Sequence, residues 1–118
     1  MYDNAFKVYI AGPMSGMPML NQNAFHEAEK NLKRSNLFRE IINPAKLDTS
    51  QDIEEQEQHA LTDKEYRKNA IARDLSLLVE CDSIYMLSGW ENSKGAQVEH
   101  ALANYLGLTI FYQSKATI

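Results

Sequence analysis

Short apolar strands alternating with amphipathic helical segments predict an α/β fold, with a parallel sheet covered by helices on both faces. Three observations carry this. The runs "FKVYIAG" (Phe6–Gly12), "DSIYML" (Asp82–Leu87) and "LTIFYQ" (Leu108–Gln113) have the length and the β-branched and aromatic content of buried strands. Helical periodicity fills the intervals that precede the second and third of them. No repeat, linker or low-complexity tract divides the 118 residues, so one domain spanning 1–118 is expected.

In chain order, the first strand ends at Gly12. The loop "GPMSGMP" follows, with turns set by two glycines and two prolines. From Asn21 to Asn36, Phe25, Ala28 and Leu32 recur at helical spacing on an otherwise polar segment. "REIINP" (Arg39–Pro44) is a short second strand stopped by its proline. Lys46 to Asp63 is polar and acidic, an insertion or mobile loop with a solvated face. A second helix covers Thr62 to Glu80, with Thr62 and Glu65 spaced as a capping box. The third runs from Ser93, its N-cap, to Leu106, with Gly107 as C-cap.

Bulk composition narrows the function classes. Apolar content of 44% and charged content of 24% are those of a soluble globular protein. A net charge of −4 without a basic stripe argues against nucleic acid as the main partner, and leaves a small phosphorylated ligand open. The stretch Met1–Phe6 is too polar and short for a secretory leader, and no apolar run reaches membrane-spanning length. A cytoplasmic protein is expected. The single cysteine, Cys81, closes an apolar helix and reads as packing. His26, His59 and His100 are scattered and read as solvated, so no metal is expected. The opening loop is neither GxGxxG nor a P-loop, since it lacks the lysine, and no cofactor is expected.

Two carboxylates occupy unusual positions. Ala70, Ile71, Leu75 and Leu78 form one stripe of the second helix, and Asp74 lies inside it. Buried there, it needs a partner: Arg67, two turns earlier on the same face, or loop amides. The other reading is an acid facing a ligand. On the third helix, Val98, Ala101, Leu102 and Tyr105 read as the apolar face, with Glu99 at its rim one turn after Gly95. Gln97, His100 and Asn104 point elsewhere, toward solvent.

In such sheets ligands bind at the carboxyl ends of the strands, where both helices and the opening loop converge. Two carboxylates in one cleft suit general acid–base work or attack at a sugar carbon. Ser93 and Gly95 begin a helix whose free amides suit an anion. Gly12, Pro13, Met14, Ser15 and Gly16 supply further backbone amides and a hydroxyl. Trp90 either stacks on a base or packs over the sheet end.

The segments "YIAGPMSG", "RDLSLLVECDSIYML", "SKGAQVEHALA" and "LGLTIFY" together resemble the nucleoside 2-deoxyribosyltransferase superfamily. Within it the pattern is similar to the 2'-deoxynucleoside 5'-phosphate N-hydrolases and to a compact phage-type, DUF4406-like branch. The resemblance covers nearly the whole chain, with Lys46–Asp63 matched least. It implies a flavodoxin- or Rossmann-like three-layer sandwich with a four- to five-stranded parallel sheet, and a homodimer or larger homo-oligomer. It also implies a bacterial or phage-infected host cytoplasm.

The implied chemistry is cleavage of the N-glycosidic bond of a deoxynucleoside or its 5'-monophosphate, by water or by a second base. Glu99 then acts at C1' and Asp74 orients the sugar or protonates the base. Tyr9 and Gly12 flank the sugar, and Ser93 and Gly95 hold the 5' group. The opening loop departs from the phosphate-specific hydrolases in lacking a basic residue, so either Arg67, Arg73 or Lys94 substitutes or the ligand is a nucleoside or another ribosyl compound. Two other classes remain: a non-catalytic binder of a nucleotide or ADP-ribose-like ligand, and an interaction module using the acidic segment.

Overall fold

The structure, a computed structural model, describes residues 6–14, 17–47 and 64–113. Strands and helices alternate as β1 (Phe6–Ala11), α1 (Gln22–Ser35), β2 (Phe38–Ile42), α2 (Lys64–Leu78), β3 (Ser83–Met86), α3 (Lys94–Leu106) and β4 (Thr109–Tyr112). All strand pairs are parallel, in the order β2-β1-β3-β4. This is the predicted three-layer α/β sandwich, with four strands among the described residues. Ser15, Gly16, His59, the Thr62 cap and the acidic segment beyond Leu47 lie outside them.

The alternation along β1 sorts its side chains between two cores. Val8 and Ile10 pack with Phe25, Ala28 and Leu32 of α1. Tyr9 and Ala11 face the other way, with Ile84 and Met86 of β3, Leu78 of α2, and Ala96 and Ala103 of α3. Strand order switches at β1: β2 is added on one side of it, and β3 and β4 lie on the other. The crevice at the carboxyl ends of β1 and β3 is therefore where this topology places a ligand.

Local signals set the helix ends. Ser93 Oγ accepts the Ala96 amide at 3.2 Å, and Gly107, at φ 74°, closes α3 with its amide on Ala103 and Asn104 carbonyls. Asn36, also left-handed, closes α1. Buried Glu29 on α1 accepts from Lys46 Nζ at 2.8 Å, Lys33 Nζ at 3.0 Å and Asn43 Nδ2 at 3.0 Å, tying α1 to the end of β2. Burial pushes its carboxyl up, but these three donors outweigh that and hold it down at about 2. Cys81 is buried, and its thiol, pushed up by burial to about 11, donates to the Leu77 carbonyl.

Helix α3 is rotated relative to the sequence reading. Its buried residues are Ala96, Glu99 and Ala103, whereas Val98 is 46% and Tyr105 86% exposed and Ala101 is exposed. Leu102 does pack against the core, but Val98 and Tyr105 marked the wrong face because small residues sit beneath the helix. Alanines allow close approach to the sheet, and Glu99, three residues after one and four before the other, shares their side. His100 is likewise not free in solvent but half-buried. Its ring stacks on Trp90 at 4.3 Å, with Nε2 at 2.8 Å from the Tyr112 hydroxyl.

Candidate functional site

A cleft of about 660 Å³ opens between α2, α3 and the end of β1. Its inner wall is made by β1, which leads into Gly12, hard against Leu87 just after β3. A Cβ at Gly12 would stand 2.8 Å from Leu87 Cβ and Cδ1, so the strand can approach this closely only without a side chain there.

Tyr9 lies on the α3 side of β1, and its hydroxyl donates to Glu99 Oε2 at 2.6 Å. Tyr9 has no exposed surface and Glu99 is 5% exposed, yet both contribute to the cleft wall. Burial pushes the Glu99 carboxyl up to about 8; the Tyr9 hydrogen bond opposes this, the Asp74 charge adds to it and Arg73 opposes it. At neutral pH Glu99 therefore holds its proton. Tyr9 is raised well above an ordinary phenol, first by burial and then by the nearby charges of Glu99 and Asp74.

Asp74 reaches the cleft from α2. Its partner is the adjacent Arg73, whose Nε and Nη2 both stand 3.0 Å from Oδ1, rather than Arg67. The stripe of α2 divides: Leu75 and Leu78 pack on the sheet, while Ala70, Ile71 and Asp74 line the cleft. Arg67 lines it too but lies nearer the helix start, two turns from Asp74.

The structure brings together Tyr9, Gly12, Met14, Asp74, Ser93, Gly95 and Glu99 around this cleft. Gly95 is exposed and leaves open space where a side chain would project. Pro13 and Trp90 are not on its wall. The Pro13 carbonyl accepts from Asn21 Nδ2 at 2.9 Å. Trp90 packs on His100 beside a separate 90 Å³ hollow that it lines with Tyr112 and Gln113.

Sequence reasoning passed over Lys64, Tyr66 and Lys68, which also line the cleft. The signal was present: Lys64, Arg67 and Lys68 stand at i, i+3 and i+4, which puts three cations on one helix face. Among the described residues, no three His, Cys, Asp or Glu side chains converge in a metal-binding array. No described helix is long and apolar enough to cross a membrane.

Residues 6–112 match a protein family described as a domain of unknown function, DUF4406. The chain belongs to the DUF4406 family. The matched span runs from the first residue of β1 to the last of β4, so this family domain contains Tyr9, Asp74 and Glu99 together. No curated protein and no solved structure gives a significant match.

Proposed function

We propose that this DUF4406 domain cleaves the N-glycosidic bond of a deoxynucleoside or its 5'-monophosphate, as a hydrolase or a deoxyribosyltransferase. The observation that carries the reading is the buried Tyr9–Glu99 hydrogen bond at the wall of a cleft shared with Asp74. Cleavage at C1' builds positive charge on the sugar and negative charge on the leaving base. It needs an anion at one and a proton at the other.

Buried Glu99, which holds its proton at neutral pH, and Arg73-paired Asp74 face one cleft from different surroundings. Two carboxylates in different surroundings, one of them holding a proton, is the arrangement such acid–base work uses. As the C1'–N bond breaks, the proton passes through Asp74 to the base nitrogen. Glu99 is left as a carboxylate facing C1', either bonded to it or paired with its charge. Tyr9 then donates its hydrogen bond to an anion, where such a bond is strongest. Water completes hydrolysis by giving its hydroxyl to C1' and its proton back to the carboxylates; an acceptor base in its place gives transfer.

The test is base release from deoxynucleosides, ribonucleosides and their 5'-monophosphates, with and without a free acceptor base, for wild type and Glu99→Gln. Free base produced by wild type and lost in the variant supports the reading. Ligand-induced melting shifts without base release from any substrate would replace it with a binding protein for nucleotides or ADP-ribose-like ligands.

We further propose that a second copy of the chain covers the exposed Val98, Ala101 and Tyr105 of α3. From Gly95 to Gln113 the one acidic or basic side chain besides His100 is buried Glu99. On a chain of net charge −4, this is where two copies meet without like charges opposed. Sedimentation of wild type as a dimer and of Tyr105→Glu as a monomer is the expected result; a monomeric wild type would overturn it.

A further inference from the structure

The charge lining the cleft runs against that of the chain. Among the described residues its wall carries five cations, Lys64, Arg67, Lys68, Arg73 and Lys94, but two acids, Asp74 and Glu99. Arg73 and Asp74 are paired at 3.0 Å, and Glu99 is turned to Tyr9. Lys64, Arg67, Lys68 and Lys94 are all exposed. Among the described residues none of these four makes an ion pair.

These cations are not scattered along the cleft. Helices α2 and α3 both lead into parallel strands, so their first turns lie at the same end, above the carboxyl ends of the sheet. Lys64, Arg67 and Lys68 occupy the first two turns of α2, and Lys94 the first of α3. Along the helix axes, Arg67 stands about 10 Å and Lys64 about 15 Å from Asp74, and Lys94 about 7 Å from Glu99. The acids thus lie deep in the cleft and the cations spread outward from them toward its mouth.

We propose that the cleft takes a nucleoside 5'-polyphosphate, a di- or triphosphate, with its sugar toward Glu99 and its phosphate chain running out along Lys94, Lys64, Arg67 and Lys68. This rests on the N-glycosidic reading for the placement of the sugar. One terminal phosphate carries about two negative charges, which would leave half of these cations unmatched. A second and third phosphate add both the charge and the length to reach Lys64. The opening loop has no basic residue from Gly12 to Leu20, so it adds no side-chain cation to this recognition.

The test is calorimetric binding of each of the four 2'-deoxynucleosides and its 5'-mono-, di- and triphosphate, at low salt without divalent cations. Inorganic tripolyphosphate serves as the sugar-free control. The expected result for at least one base is a stepwise gain along the series, about tenfold or more from mono- to polyphosphate. The combined variant Lys64→Gln, Arg67→Gln, Lys68→Gln, checked for an unchanged melt, should lose that gain.

Equal affinity for mono- and polyphosphates, tripolyphosphate binding as tightly as the nucleotides, a gain that survives in the triple variant, or no binding at all would each overturn the proposal. Base release is read separately. A polyphosphate preference without base release removes the glycosidic reading and keeps the ligand class. Base release with a flat binding series does the reverse.

Discussion

Replacing Glu99 by glutamine should stabilise the protein, and by an amount that depends on pH in a defined way. Glu99 titrates at about 8 in the folded chain against an ordinary 4.5. Between those values the folded state holds a proton that the unfolded state has released, so stability falls as pH rises from about 4.5 and levels off above about 8. Each unit of displacement is worth about 1.36 kcal/mol, which caps the loss near 5 kcal/mol. Local relaxation and water in the open cleft bring the expected loss to about 2–4 kcal/mol.

The Glu99→Gln variant has no such titration, and the carbonyl of its new side chain accepts the same Tyr9 hydrogen bond. The amide group shifts stability by a constant, so the slope rather than the offset is the diagnostic. Urea unfolding of wild type and Glu99→Gln from pH 4.5 to 9 measures it. The variant's advantage should grow with pH and reach a plateau above 8. A difference that stays constant over that range would refute the reasoning, because it would mean that Glu99 ionises in the folded cleft as easily as in water.

Four further outcomes follow from the geometry. Asp74→Asn should change unfolding stability by no more than about 1–2 kcal/mol, since its partner Arg73 is partly exposed, while base release falls by about 100-fold or more. Gly12→Ala should cost about 1–3 kcal/mol in urea unfolding, because the added methyl meets Leu87 at 2.8 Å. Ser93→Ala should cost about 1 kcal/mol by thermal melting through loss of the α3 cap. In acid, Glu29 makes the opposite contribution to Glu99. Its carboxyl lies at about 2, so its stabilisation is present above about 4.5 and is lost as pH falls through 2. With Lys33 and Lys46 exposed, that amounts to about 1–2 kcal/mol, read as the stability difference between wild type and Glu29→Gln at pH 5 and at pH 2.

Strand positions were legible in the sequence because β1 and β3 are buried on both faces, which forces a continuous apolar run. Asp74 was legible as an anomaly because a carboxylate interrupts a stripe that Leu75 and Leu78 otherwise define. The orientation of α3 was not. A wheel weighs residues by size and hydrophobicity, and Val98 and Tyr105 outweigh Ala96 and Ala103, yet the alanines sit against the sheet. The same error placed Glu99 at a rim when it is buried, and His100 in solvent when it stacks on Trp90. Partner choice was equally hidden. Arg67 and Arg73 both lie near Asp74 in sequence, and side-chain reach rather than helical phase selected Arg73. Pro13 and Trp90 looked like site residues because their neighbours Gly12 and Ser93 are, but successive loop residues point in different directions.

The Tyr9–Glu99 hydrogen bond joins residues 90 positions apart, across most of the chain. That separation governs when the site can come into being. Strand β1 can pair with β2 early, since they are neighbours in sequence, but its other edge waits for β3 and the Tyr9 hydroxyl waits for α3. Loop closure over so long a span is slow to nucleate and comes late in folding. On a ribosome, a chain stopped short of residue 99 exposes the face of β1 that α3 will cover, with a phenol that has no acceptor. The pair of groups at the cleft wall is therefore assembled among the last long-range contacts, and its formation coincides with completion of the fold.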